Sequence, residues 1–375
     1  MNDPIVLAYS EEQEQFRDVV RDFLSKVSPE SEVRRLMETD EGFDRTVWHR
    51  MATDLGLQGL IIPEEYGGSG ASFRELGVVL EQMGAALLTA PYLSTSVLAT
   101  GVLLRCGDDS ARADYLPGIA SGETVATLAL AEESGRWDLE DVETRAVRGN
   151  GRWRLNGTKN FVLDGHVADL VLVAARTASG VGLFAVDTRA GGVGREPLST
   201  MDQTRKQARL DFRDAPARLI GAEGSAAEVL PVVLDLAAVA LAAEQVGGAR
   251  RCLEMSVAHA GERVQFGRPI GSFQAVKHKC ADVLVEVESA QSIVQRALWA
   301  ASEPGDDLPV LAAMAGSYCS DAYVRAAAEN IQIHGAMGFS WEFSAHLYLK
   351  RAKSSELLLG SAACHRRRLA GLLGL

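Results

Sequence analysis

The run Arg263–Gln274, RVQFGRPIGSFQ, puts a cation, an amide, an aromatic and a proline within a few residues, with Gly261, Gly267 and Gly271 around them. Arg263 can fork onto a phosphate. Phe266 can lie against a flat ring, and Gln265 and Gln274 can bond to ring edges or a ribose. Together these groups suit an anionic ligand carrying a flat heterocycle, such as a nucleotide. The plain alternative is a turn with a surface arginine and a buried phenylalanine.

Elements must hold that loop, and the apolar spacing gives them. Ser10 is an N-cap with acids in the first turn behind it, followed by Phe16, Val19, Val20, Phe23 and Leu24 at helical spacing. Thr46–Leu55, Phe73–Leu88 and Tyr92–Leu104 read as further helices, and Pro117–Gly122 as a connector. From about residue 123 the period falls to two. Thr124–Ala131, Leu170–Ala174, Val181–Val186 and Ala208–Phe212 are strand candidates, and Asn150-Gly151 marks a hairpin. Ala226–Ala260, Phe273–Ala301, Leu308–Ile333 and a stretch within Trp341–Leu373 then read as four helices of an antiparallel bundle. Pro231 is expected in the first turn of the first of these. The expected fold is α+β and multidomain: an N-terminal helical domain (1–120), a middle β-barrel (121–221) and a C-terminal four-helix bundle (222–375).

The bulk properties narrow the function. The chain has 375 residues, 47% hydrophobic and 23% charged, with a formal net charge of −12. That argues against a general nucleic-acid binder, which needs clustered cations. The five cysteines are scattered, without Cys-x-x-Cys or ligand spacing, so no metal is expected and the thiols read as reduced. The acidic start, MNDPIVLAYSEEQEQ, carries neither a secretion nor a transit pattern, so a cytoplasmic protein is expected. No membrane span is expected, which would need about 20 apolar residues.

Arg263-x-Gln265-Phe266-Gly267, then Phe273-Gln274, resembles the flavin-binding signature of the acyl-CoA dehydrogenase family. Ile62–Gly70, IPEEYGGSG, is similar to the family's N-terminal signature. Asn156-Gly157-Thr158-Lys159 with Asp164-Gly165 resembles its middle-domain hairpin. Gln332–Phe339, QIHGAMGF, resembles the loop that reaches a flavin across a subunit interface. The resemblance implies FAD, an acyl-CoA substrate, tetramers, and electrons passed to an electron-transfer flavoprotein. It implies pyrophosphate and adenosine contacts by Arg263, Gln265, Phe266 and Gln274, and interface contacts by Gln332, Gly335 and Gly338. Near the flavin ring the family's Thr-Glu-Pro and Gly-Ser-Asp become Leu130–Asp138, LAEESGRWD. Leu130 and Phe161 remain as ring contacts, while Leu163 replaces a hydroxyl donor.

The same resemblance implies a carboxylate that removes the proton α to the thioester while the flavin takes the β hydride. The family's two base positions fall on Leu359 and on Ala237, both apolar. Glu244, Asp235 and Glu356 are displaced carboxylates nearby, Glu244 being the candidate worth testing. Its ordinary reading is a buried carboxylate bonded to Arg250 or Arg251; that of Glu356 is an ion pair. His365 and Arg366 are read either as diphosphate contacts or as a cationic C-terminal turn. Some bacterial members resembled by this chain are α2β2 heterotetramers in which one subunit type carries the glutamate. The expectation is therefore an FAD-dependent acyl-CoA dehydrogenase subunit without its own base. The alternatives are an active homotetramer using Glu244, a flavin-free scaffold, or a flavin enzyme acting on a non-CoA substrate.

Overall fold

The first helix, Glu11–Val27, begins on a reciprocal cap: Ser10 Oγ accepts from the Gln13 amide at 3.2 Å, and Gln13 Oε1 accepts from the Ser10 amide at 3.0 Å. The computed structural model describes residues 8–303, 305 and 307–375. The first seven residues, on which the reading of the N-terminus partly rests, lie outside the described residues. Two compact units emerge. One holds the chain up to Arg34, Phe73–Leu88 and Ala238–Leu375; the other holds Arg35–Ser72 and Thr89–Ala237.

In the first unit the long helices are Ala226–Glu262 (from Ala238 onward), Gln274–Ser302 and Leu308–His334. Small residues set how closely they approach. A Cβ on Gly84 would meet the Glu244 carbonyl oxygen at 1.9 Å, and one on Gly247 would meet the Glu81 carbonyl oxygen at 1.8 Å. The helix Phe73–Ala85 thus crosses the Ala226–Glu262 helix backbone to backbone. The fourth bundle helix differs from expectation. It is two helices, Ala345–Leu357 and Ala362–Leu372, broken where Leu359 adopts φ +61° and Gly360 φ +108°. Left-handed backbone ends a helix.

In the second unit seven strands make one sheet: β1 Ala126–Ala129, β2 Arg145–Gly149, β3 Arg152–Leu163, β4 Leu170–Thr177, β5 Gly180–Asp187, β6 Val193–Pro197 and β7 Gln207–Ile220. Pairings run β4–β2–β3–β7–β5 and back to β4, so the sheet closes as the expected barrel. Asn150 (φ +50°) and Gly151 (φ +76°) form the two-residue turn between β2 and β3. β1 pairs with β4 in parallel, and the first six residues of β4 are buried. A strand covered on both faces needs no alternation.

Three expectations change. Pro117 lies inside the helix Asp109–Ala120 rather than in a connector. Tyr92–Leu104 is a π-helical stretch, Leu93–Ala99, running into an α-helix, Thr100–Arg105. Pro231 sits within the Ala226–Glu262 helix rather than in its first turn. That helix is also long and apolar enough to cross a membrane, against expectation, but 72% of its most apolar window is buried in the protein, as in a core helix.

Candidate functional site

The Ala226–Glu262 helix hands directly to the loop: the Arg263 amide donates to the His259 carbonyl at 2.9 Å. Val264–Gln265 and Arg268–Pro269 pair as a short hairpin, with Phe266 (φ +52°) and Gly267 (φ +77°) at its tip. Such a two-residue turn needs left-handed backbone at both positions. It leaves Phe266 92% exposed, so the reading of a buried phenylalanine is set aside. The Phe266 and Phe273 rings stand edge to face, 6.1 Å between centroids, and the Arg268 guanidinium lies over Phe273 at 4.1 Å. Arg263 and Gln265 are exposed. Arg263 makes no ion pair among the described residues, and Gln274 reaches His278 at 3.4 Å.

The second predicted loop follows the Leu308–His334 helix. Gly335 turns the chain at φ +64°. Gly338 has no room for a side chain, since a Cβ there would lie 2.9 Å from both the His334 Cβ and the Ile331 carbonyl oxygen. Gln332 and Phe339 are exposed. The roots of the two loops meet where the His259 and His334 rings stack, 4.2 Å between centroids. The first unit therefore assembles Arg263, Gln265, Phe266, Gln332, Gly335 and Gly338 from adjoining loops. A guanidinium without an ion pair, exposed amides and an exposed ring fit a diphosphate joined to a flat heterocycle, the chemistry of FAD.

The remaining predicted contacts lie in the second unit. A register shift between Lys159 and Val162 bulges β3 at Asn160–Phe161, and Phe161, at φ +57°, is 42% exposed. A Cβ on Gly135 would sit 3.5 Å from its ring, so the Leu130–Asp138 segment packs beside Phe161. Leu130 and Leu163 are buried, so the Leu130 side chain offers no open surface. Sequence reasoning missed what Glu132 does. Its carboxylate accepts from buried Lys159 at 2.7 Å and from the amides of Glu143 and Thr144, both at 2.9 Å. Burial pushes the Glu132 carboxyl up, but Lys159 and the hydrogen bonds from Thr144 together hold the group below its ordinary value. Burial takes Lys159 down to about 8. The clue was the lysine in Asn-Gly-Thr-Lys, whose Nζ also donates to the Leu130 carbonyl.

No base stands at the two implied positions. Leu359, in the first unit, is 9% exposed, and Ala237, in the second, is fully buried. Glu244 is held by Arg351 at 2.7 Å rather than by Arg250 or Arg251, which pair with Glu288 and Glu254. Glu356 pairs with Lys353. Asp235 is buried in the second unit. Arg366 pairs with Asp321 at 2.7 Å, and His365 is buried against Gly316. A cleft of about 910 Å³ in the first unit, walled by Tyr9, Arg17, Glu81 and Gln291, includes none of the predicted site residues.

Comparison with known proteins gives the family. The chain matches the acyl-CoA dehydrogenase N-terminal domain over residues 10–123, the middle domain over 127–215 and the C-terminal domain over 228–373. The acyl-CoA dehydrogenase IpdE2 of Mycobacterium tuberculosis is 35% identical over 96% of this chain and 96% of its own. The ChsE4-ChsE5 complex from Mycobacterium tuberculosis is 29% identical with a TM-score of 0.90, covering 99% of both chains. A variant of the Tcur3481-Tcur3483 steroid ACAD is 30% identical with a TM-score of 0.87, covering 97% of this chain and 98% of that one. The chain belongs to the acyl-CoA dehydrogenase family, a family of oxidoreductases that normally binds FAD.

Proposed function

We propose that this chain is the base-less subunit of an FAD-dependent acyl-CoA dehydrogenase, working as an α2β2 heterotetramer beside a glutamate-bearing paralogue. One observation carries the reading. Leu359 and Ala237 cannot take a proton, and the displaced Glu244 is already committed to Arg351. A carboxylate in a buried ion pair is a poor base, because giving up its charge would strand the cation. The retained loops around Arg263 and Gln332 give the chain something to contribute: they hold a dinucleotide. Bound FAD would supply the acceptor for the β hydride, and the paralogue would supply the base. A bulky CoA thioester such as a steroid side chain is the proposed substrate, supported by the steroid ACAD and ChsE4-ChsE5 likenesses. An electron-transfer flavoprotein is the proposed acceptor.

The test is the visible spectrum and mass of the chain purified alone and after co-expression with a glutamate-bearing paralogue. The expected result is a low-flavin species alone and a yellow heterotetramer together, with turnover abolished when the paralogue's glutamate is removed. A yellow homotetramer whose Glu244→Gln variant stays folded and flavin-loaded yet loses turnover would put the displaced base first. Absence of flavin under both conditions would leave a scaffold.

A further inference from the structure

We propose that His259 and His334 are positioning residues that lock the two dinucleotide loops together, and that the lock loosens when His259 takes up a proton. The nature of the ligand rests on the flavin reading above; the coupling of the loops does not.

The rings stack face to face, 4.2 Å between centroids and 25° between planes. Each belongs to the root of one loop. The His259 carbonyl accepts from the amide of Arg263, the first residue of its loop. His334 immediately precedes Gly335, and its Cβ lies where a side chain on Gly338 would have to go. Each ring thus sits within four residues of the start of its loop.

The far side of the pair is fixed in the core. His334 is 8% exposed, and its Nδ1 is 2.8 Å from the Asn330 carbonyl. A carbonyl only accepts, so that nitrogen carries the hydrogen in the neutral ring. The Asn330 side chain is wholly buried, and its Oδ1 accepts from the Ser256 hydroxyl at 3.0 Å. Ser256 lies on the same helix as His259. The linkage therefore runs from Ser256 to Asn330, to His334, across the stack to His259, and on to Arg263.

A cation on His259 meets opposition where it sits. Arg263 and Glu262 are the charged groups on the same segment as His259, and they act in opposite senses. The Leu308–His334 helix contributes His334, and the segment after it contributes only the apolar Phe343 ring, 5.9 Å from His334. Burial first, then His334 and Arg263, hold His259 below the ordinary histidine value. A proton on His259 is therefore disfavoured while the rings are stacked.

Amide hydrogen exchange of the flavin-free protein reads this directly, after correction for intrinsic rates, with FAD titration of the assembled protein in parallel. His259→Ala should speed exchange at both Arg263–Gly267 and Gly335–Phe339, and weaken FAD about three- to tenfold, the scale of a lost aromatic pair. His259→Phe keeps a ring face against His334 and removes the His259 proton site. It should stay slow at pH 8 and lack the acceleration that the wild type shows below pH 6. If the alanine variant does not fold, His259→Asn serves the same purpose. Unchanged exchange at Gly335–Phe339 in the alanine variant overturns the proposal, and so does an acid response in the phenylalanine variant equal to the wild type's. A wild type that takes no FAD even with its partner would overturn the flavin reading, while the exchange data still decide the lock.

Discussion

Arg351 Nη1 donates to Glu244 Oε1 at 2.7 Å, with both side chains less than a tenth exposed. Arg351 Nη2 also donates to the Leu88 carbonyl at 3.3 Å. The pair joins the Ala226–Glu262 helix to the Ala345–Leu357 helix inside the first unit. Removing one partner leaves a buried, uncompensated charge. Glu244→Gln should therefore lower stability by about 3–5 kcal/mol. The double variant Glu244→Leu with Arg351→Met should recover most of that loss, less the hydrogen bond to Leu88. Denaturant midpoints of the wild type, Glu244→Leu, Arg351→Met and the double variant form the cycle. A Glu244→Gln variant as stable as the wild type would mean that the carboxylate is not holding Arg351.

Lys159 and Glu132 make a pH prediction. Folding lowers the lysine from 10.5 to about 8, with burial the largest cause. Between those values the unfolded chain holds more protons than the folded one, so the lysine's contribution to stability rises with pH across this window. Below about 8 both states are protonated and the contribution is flat. The glutamate has the same sign in the acid range: its lowered value contributes stability that is lost as pH falls. Urea denaturation at pH 7.5 and 9.5 should show the wild type gaining on Lys159→Met at the higher pH. A difference that stays flat or shrinks would contradict this assignment.

The crossing of Gly84 and Gly247 reverses the usual rule for helices. Alanine ordinarily improves a helical glycine by up to about 1 kcal/mol. Here either new Cβ would land within 2 Å of a carbonyl oxygen on the other helix. Backbone cannot swing aside as a side chain can, so the two helices must separate. Gly84→Ala and Gly247→Ala should each cost about 3 kcal/mol, the upper part of the overpacking range. Thermal denaturation checks it, and a neutral substitution would show that the helices slide apart without cost.

What could be read from the sequence depended on the kind of interaction involved. Ser10, Asn150-Gly151 and the alternating Ala208–Phe212 act within a few residues, and each produced the expected local structure. The Arg263 loop was legible because hairpin chemistry and ligand chemistry fall in one short run. The break at Leu359 was not, because a leucine with left-handed backbone gives no composition signal. The partners of Glu244 and Glu132 lie 107 and 27 residues away, so they became visible only after folding. Counting along a helix suggested Arg250 or Arg251 for Glu244 because they are close in sequence. The long-range carbonyl contacts of Gly84 and Gly247 were hidden for the same reason.

Arg263 offers a test of ligand binding separated from folding. Its guanidinium is exposed and has no ion pair among the described residues, so the native fold gains little from it. A bound diphosphate would gain a bidentate, charge-assisted contact. Arg263→Ala should therefore leave the melting temperature of the flavin-free protein within about 1 °C of wild type, consistent with a surface change of a few tenths of a kcal/mol. It should weaken FAD by roughly ten- to a hundredfold, the scale of a lost hydrogen bond to a charged group. Arg263→Lys should recover only part of that affinity, because an ammonium cannot present the two parallel donors. Flavin fluorescence titration of the assembled protein measures the affinities, and calorimetry the melting. Equal FAD affinity in the alanine variant would remove Arg263 from the site and, with it, the strongest residue-level argument for flavin in this chain.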